Sequence, residues 1–171
     1  MSGSHRDKPA FVKFAYKGAR GYLSNFTRLP GLPLVFEGRA YVSIEHAFHA
    51  AKLQFSKHVP ISESNKYAVG GMYARLTGVA VKRTTSARTF AAHGWYLDVP
   101  AWTAARAGVM RRLVAARAEV DPEYVTAAQA LVCAHGSIRH RAGRGKYVQA
   151  ADALGKELTL LGGGVWRISQ M

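Results

Sequence analysis

The sequence predicts a predominantly helical α+β fold, a single domain that carries a small β-sheet. Three observations predict it. The chain has 171 residues, which suits one compact domain with a core of its own. Hydrophobic residues make up 49% of it, a globular composition. Firm helical periodicity dominates the second half, whereas strand-like alternation is confined to a few short stretches. There are no internal repeats and no linker long enough to split the chain. Residues 1–9 are therefore expected as a flexible start and residues 10–171 as the single domain.

The elements follow in chain order. "FVKFAY" (11–16) alternates as a strand does, and "GARGYLSNF" (18–26) follows as a glycine-punctuated loop. "PLVFEGRAYVS" (33–43) reads as a small hairpin or bent strand turning at Glu37-Gly38. Ser43 stands where an N-cap belongs, so a helix is expected from 44 to about 57, with Pro60 beyond its end. Residues 61–95 are polar, basic and weakly periodic, and Gly70-Gly71 weakens any helix there. From Pro100 the pattern is clear. Trp102, Ala105, Val109, Leu113 and Ala116 form one stripe, with Arg106, Arg111, Arg112 and Arg117 elsewhere. Asp121 and Pro122 restart a helix as N-cap and first-turn residue, and His135-Gly136 ends it. "SIRHRAGRGKY" (137–147) reads as a basic loop, 148–161 as a last helix stopped by "GGG", and "VWRIS" as a closing strand.

Charge is the loudest compositional fact. Twenty-four Lys and Arg face ten Asp and Glu, a formal net charge of +14 with a pI near 10.3. Such a balance attracts polyanions, whether DNA, RNA or a phosphorylated metabolite. A single cysteine, Cys133, forbids an internal disulfide and a cysteine metal cluster, and fits a reducing, cytoplasmic setting. No stretch approaches the roughly 18 apolar residues of a membrane span, so no membrane partner is expected.

"YVSIEHAFHAAKLQF" (41–55) concentrates the chemistry. On a helical wheel Ile44, Phe48, Ala51 and Phe55 form the buried stripe, and Glu45, His49, Lys52 and Ser56 the next one around. A stripe at that place lines the edge of the core, where a cleft wall would run. Glu45 also falls in the first turn, where the helix dipole favours a carboxylate. His46 and His49, three apart, complete no zinc pattern, so no metal is expected. By itself the stripe is equally what a solvated helix edge carries. The loop 137–147 is open in the same way. Its Gly143 and Gly145 let backbone N–H groups approach a phosphate, with Arg139, Arg141, Arg144 and Lys146 adding charge, and it also reads as plain solvated surface.

Three segments together resemble the NADAR (YbiA-like) family. They are "GYLSNF" at Gly21 to Phe26, the extended entry from Gly38 to His46, and the helix from Phe48 to Leu53, where His49 replaces a glutamine and Leu53 a phenylalanine. "WTAARAGVMRRLVAAR" adds a tryptophan, Trp102, seven residues before its "VMRR". The family's acidic residue in a "D-x-x-W-G" segment has no counterpart in 137–151, which makes Asp152 the candidate substitute acid.

The resemblance implies a YbiA-like single catalytic domain that cleaves an N-glycosidic bond. The leading expectation is release of ADP-ribose from guanine bases in DNA, a repair activity of the antitoxin or phage counter-defence type. The substrate would be ADP-ribosylated DNA or an ADP-ribose-like ligand, with no cofactor. Such a bond breaks through an oxocarbenium-like centre, which a carboxylate can stabilise or relieve by activating water. Glu45 is the expected carboxylate. Lys52 is expected to bind substrate or attack the opened sugar, and Trp102 to stack on a base, with a core role as the alternative for Trp102. Ser24, Asn25, Phe26, His46, His49, Arg144 and Lys146 are the expected substrate-binding residues. Two other functions fit the same residues. One is cleavage of a phosphorylated ribosylamine of riboflavin synthesis. The other is a non-catalytic module that binds nucleic acid or ADP-ribose.

Overall fold

A computed structural model describes residues 12–14, 21–135, 138–142 and 146–149 of the chain. Its described part is predominantly helical with small sheets, the α+β class expected. After β1 (Val12–Phe14), the chain forms a hairpin from β2 (Leu34–Phe36) and β3 (Arg39–Tyr41). Glu37 and Gly38 both take positive φ, 50° and 75°, as a two-residue hairpin turn requires. Leu34, Phe36 and Tyr41 point inward and are buried.

The hairpin delivers the chain into α1 (Ile44–Leu53), capped by Ser43, whose hydroxyl accepts from the His46 backbone N–H. The helix stops at Leu53, short of the expected end near 57. Ser56 and Lys57 instead form β4, paired antiparallel with β5 (Tyr96–Leu97). That pairing takes up backbone groups that another helical turn would have used.

Residues 61–95 resolve into four short pieces. Two are 3-10 segments, Ile61–Tyr67 and Met72–Arg75, and two are seven-residue helices, α2 (Gly78–Thr84) and α3 (Ala87–His93). Thr77 and Ser86 cap the two helices with their hydroxyls, and Gly94 closes α3 in the left-handed region. Helices this short carry too few turns for periodicity to register, which is why only their caps are visible in the sequence.

Helix α4 (Val99–Val120) follows, with Asp98 accepting from the Ala101 N–H. It buries Trp102, Val109, Leu113 and Val114, much as expected, but also Arg117. Helix α5 (Pro122–His135) starts on Asp121, which accepts from the Tyr124 N–H. Within the basic segment 137–147, expected as a loop, the described residues are strands. β6 (Ile138–Ala142) and β7 (Lys146–Gln149) pair antiparallel, and β6 lies parallel to β1. Val148 and Gln149 therefore belong to a strand and not to the start of a last helix. The remainder of that helix, the "GGG" stop and the "VWRIS" strand lie outside the described residues. Among the described residues, no helix is long and apolar enough to cross a membrane.

The core is organised around α1. Helices α2 and α4, the segment Ile61–Tyr67 and β3 all pack against it. As a result Ile44, Glu45, His46, Ala47, His49, Ala50, Ala51 and Leu53 are buried, which leaves the helix almost no wet side.

Candidate active site

Enclosure of α1 corrects the expected geometry. Phe48 and Phe55 are only partly buried, whereas Glu45 is 7% and His49 5% exposed. The first half of the polar stripe is inside the molecule and not on a solvated edge, while Lys52 and Ser56 are half-buried. A buried carboxylate must find partners, and Glu45 does: its Oε1 accepts from His49 Nε2 at 2.9 Å, one turn along the same helix. The other ring nitrogen, Nδ1, pairs with the hydroxyl of Thr85. Thr85, at the C-terminus of α2, is itself buried. Its carbonyl accepts from Lys52 Nζ at 2.7 Å, and Lys52 also lies 5.3 Å from the centre of the Phe90 ring. Glu45, His49, Thr85 and Lys52 thus form one continuous polar line. Burial, helped by nearby Lys82, lowers the Lys52 ammonium from its ordinary value.

The segment Ser24-Asn25-Phe26 docks at the head of this line. The Asn25 carbonyl accepts from the Glu45 backbone N–H at 3.0 Å, and Asn25 Nδ2 points at Met110 Sδ, 3.3 Å away. Ser24 is buried, with its hydroxyl accepting from the Phe26 N–H. Phe26 lies so close to the start of α2 that a Cβ at Gly78 would come within 2.7 Å of its Cα. From the other side Arg117 clamps the segment. Its guanidinium donates to the carbonyls of Ser24 and Tyr22 and, through Nε and Nη2, to Asp121 Oδ2 at 3.1 Å. The face of Tyr124 covers it at 3.9 Å.

Two expected site residues have other roles. His46 is fully buried, and both ring nitrogens are taken. Nε2 donates to the Tyr73 carbonyl at 3.1 Å, and Nδ1 accepts from the Ser43 hydroxyl at 2.7 Å. Burial holds the ring neutral, its pKa down to about 4. It ties α1 to the segment Met72–Arg75. Trp102, 6% exposed, packs against Phe48 and Phe55 with centroids 4.9 and 5.4 Å away, so it serves the core and not a base. Lys146 falls in β7, while Arg144 and Asp152 lie outside the described residues.

Sequence reasoning missed Thr85 and Arg117. Nothing local marks Thr85, because only the packing of α2 on α1 brings it to His49. The i, i+4 spacing of Arg117 and Asp121 could have suggested a pair, although burial of that pair is a tertiary property.

Two cavities of about 360 Å³ lie away from the polar line. One is lined by Arg39, Gln54, Ser56 and Ser64 among others, the other by Tyr22, Arg28, Asp121 and Tyr124. Among the described residues no cluster of three His, Cys, Asp or Glu could hold a metal. Comparison with family models, with curated proteins and with solved structures finds no match for the chain.

Proposed function

We propose that the chain is an N-glycosidase that hydrolyses the bond between ADP-ribose and guanine in nucleic acid, built on a YbiA-like fold. One observation carries the reading: a buried carboxylate, Glu45, held by His49, whose other ring nitrogen is held by Thr85, with the amine of Lys52 tied to the same threonine and Asn25 at the head of the line. The resemblance of the "GYLSNF" and "IEHAFHAAKL" segments to the NADAR family supports it, and the structure packs those two segments side by side.

In this mechanism the C1′–N bond breaks as positive charge builds on the ribose. Glu45 stabilises that charge and accepts a proton from water, whose oxygen forms the new bond to C1′. The bonding pair leaves with the base, which is reprotonated by solvent. His49 aims the carboxylate and holds its second nitrogen on Thr85. Lys52, an amine in a partly buried place, binds the phosphate or ribose oxygens. The +14 charge favours a polyanionic substrate over a free riboside.

The test is incubation with a guanine-ADP-ribosylated oligonucleotide, following its return to the unmodified size. Glu45→Gln preserves the acceptor for His49 and should keep the fold, yet lower the rate by about 10²–10⁴-fold. Full activity in that variant removes Glu45 from the mechanism. A folded wild-type protein without turnover points to a smaller phosphorylated riboside or to a binding module.

A further inference from the structure

Between Glu63 and Asp98 the chain contains no acidic residue, yet it carries Lys66, Arg75, Lys82, Arg83 and Arg88. Lys66 is neutralised by Glu63 at 2.6 Å. Elsewhere Arg112 and Arg117 also have carboxylates, Glu37 and Asp121. Lys82, Arg83 and Arg88 are different: all three are exposed on α2 and α3 and none forms an ion pair among the described residues. Three cations within seven positions, without an ion pair among the described residues, repel one another, and a polyanion relieves that repulsion.

The chain runs on from these cations into aromatic residues. At the end of α3 the rings of His93 and Trp95 stack 4.5 Å apart, and Tyr96 beside them is 64% exposed. Tyr96 offers an open ring and Trp95 a half-buried one a few positions along the chain from these cations, and charge for phosphates with rings for bases is the combination that holds a single strand. The face also abuts the polar line. Thr85 joins α2 to α3 and bonds both His49 and Lys52, and Phe90 of α3 lies against Lys52. The charge of Lys82 is felt at Lys52.

We propose that the outer face of α2 and α3, with Trp95 and Tyr96 at its edge, docks the phosphodiester backbone of a nucleic-acid strand and leads it past the corner above Lys52. Its purpose, though not its chemistry, rests on the reading of Glu45 as acting on a base in nucleic acid. The sequence had suggested 137–147 as the backbone contact; the α2–α3 face adjoins the catalytic line through named contacts.

The test measures binding of a short unmodified single-stranded oligonucleotide across about 50–200 mM salt. Three proteins are compared: wild type, K82Q/R83Q/R88Q, and the α4 control R106Q/R112Q. Each phosphate contact to a single strand contributes about 0.7 to the slope of log affinity against log salt, so the triple variant should flatten it by about 2. Affinity at low salt should fall at least tenfold, and the control should retain the wild-type slope. An unchanged slope in the triple variant overturns the proposal, as does equal flattening per charge in the control, which would make the effect one of net charge. Turnover of ADP-ribosylguanosine, which has no backbone, should survive in the triple variant while turnover of the oligonucleotide falls. Loss of both would place these cations in the reacting site and overturn the docking role. If wild type turns over neither substrate, the glycosidase reading fails while the salt slope still decides the docking face.

Discussion

Arg117→Met should be the most damaging single change near the candidate site that leaves the polar line untouched. Arg117 is 2% exposed and donates to Asp121, to the Ser24 carbonyl and to the Tyr22 carbonyl. Methionine fills much of the volume but donates nothing. Asp121, 8% exposed, would keep a charge without its cation, and two carbonyls would lose donors. Removing one partner of a buried pair costs about 3–5 kcal/mol. In a domain of this size each kcal/mol corresponds to about 2–4 °C, so the melting temperature should fall by roughly 10 °C. Chemical denaturation followed by circular dichroism gives the free energy directly. Adding Asp121→Asn removes the stranded charge while asparagine still caps Tyr124, so the double variant should recover part of the loss. An Arg117→Met protein within about 1 kcal/mol of wild type would refute the reasoning, because the clamp on Ser24 would then be ornamental.

Stability should also depend on pH through His46. Its folded pKa is lowered to about 4 from an ordinary 6.5, so between those values the unfolded chain binds a proton that the folded one refuses. Stability is therefore full above pH 6.5 and declines toward pH 4, by about 3 kcal/mol for this group. A urea midpoint that falls equally in His46→Gln would assign the loss to other groups. Tyr124→Phe should stabilise the protein by about 1 kcal/mol, since the Tyr124 hydroxyl is buried with no hydrogen-bond partner among the described residues; a lower melting temperature would mean that the hydroxyl is satisfied in solution. Replacing the polar line as a unit, E45M/H49L/T85V, should leave stability within about 1–2 kcal/mol of wild type and remove all turnover. A loss well beyond that, measured by denaturation, would make the line structural.

The long or well-punctuated elements were legible in the sequence. The Glu37-Gly38 turn, the Ser43 and Asp121 caps and the stripe on α4 all depend on neighbours in the chain. What stayed illegible depends on partners far away. Periodicity put Glu45 and His49 at the rim of the core because Phe48 and Phe55 were given its centre, whereas four elements close over α1 and bury both. Arg117 was placed off the buried stripe for a related reason: its carbonyl acceptors, on Tyr22 and Ser24, are more than ninety positions away. The segment 137–147 read as a loop because its arginines and glycines obscure the alternation, and pairing with β1 makes a strand of part of it.

Burial changes what the opening residues of α1 mean. His46 has a structural explanation, since its two ring bonds join separate elements and its neutral form suits the core. Glu45 and His49 have a weaker one. They sit one turn apart on a single helix, so their bond joins nothing that the helix does not already join. Only the link from His49 to Thr85 crosses to another element, and the backbone of Thr85 is already held by Lys52. Apolar residues of similar volume would fill the same space at no loss and often some gain in stability. A chain that places a carboxylate and an imidazole there, beside an amine of lowered pKa, forgoes stability that packing alone would supply. A buried carboxylate and imidazole gathered beside an amine of lowered pKa make a candidate reacting site. The same burial that removes the solvated-edge reading of Glu45 therefore strengthens the catalytic one.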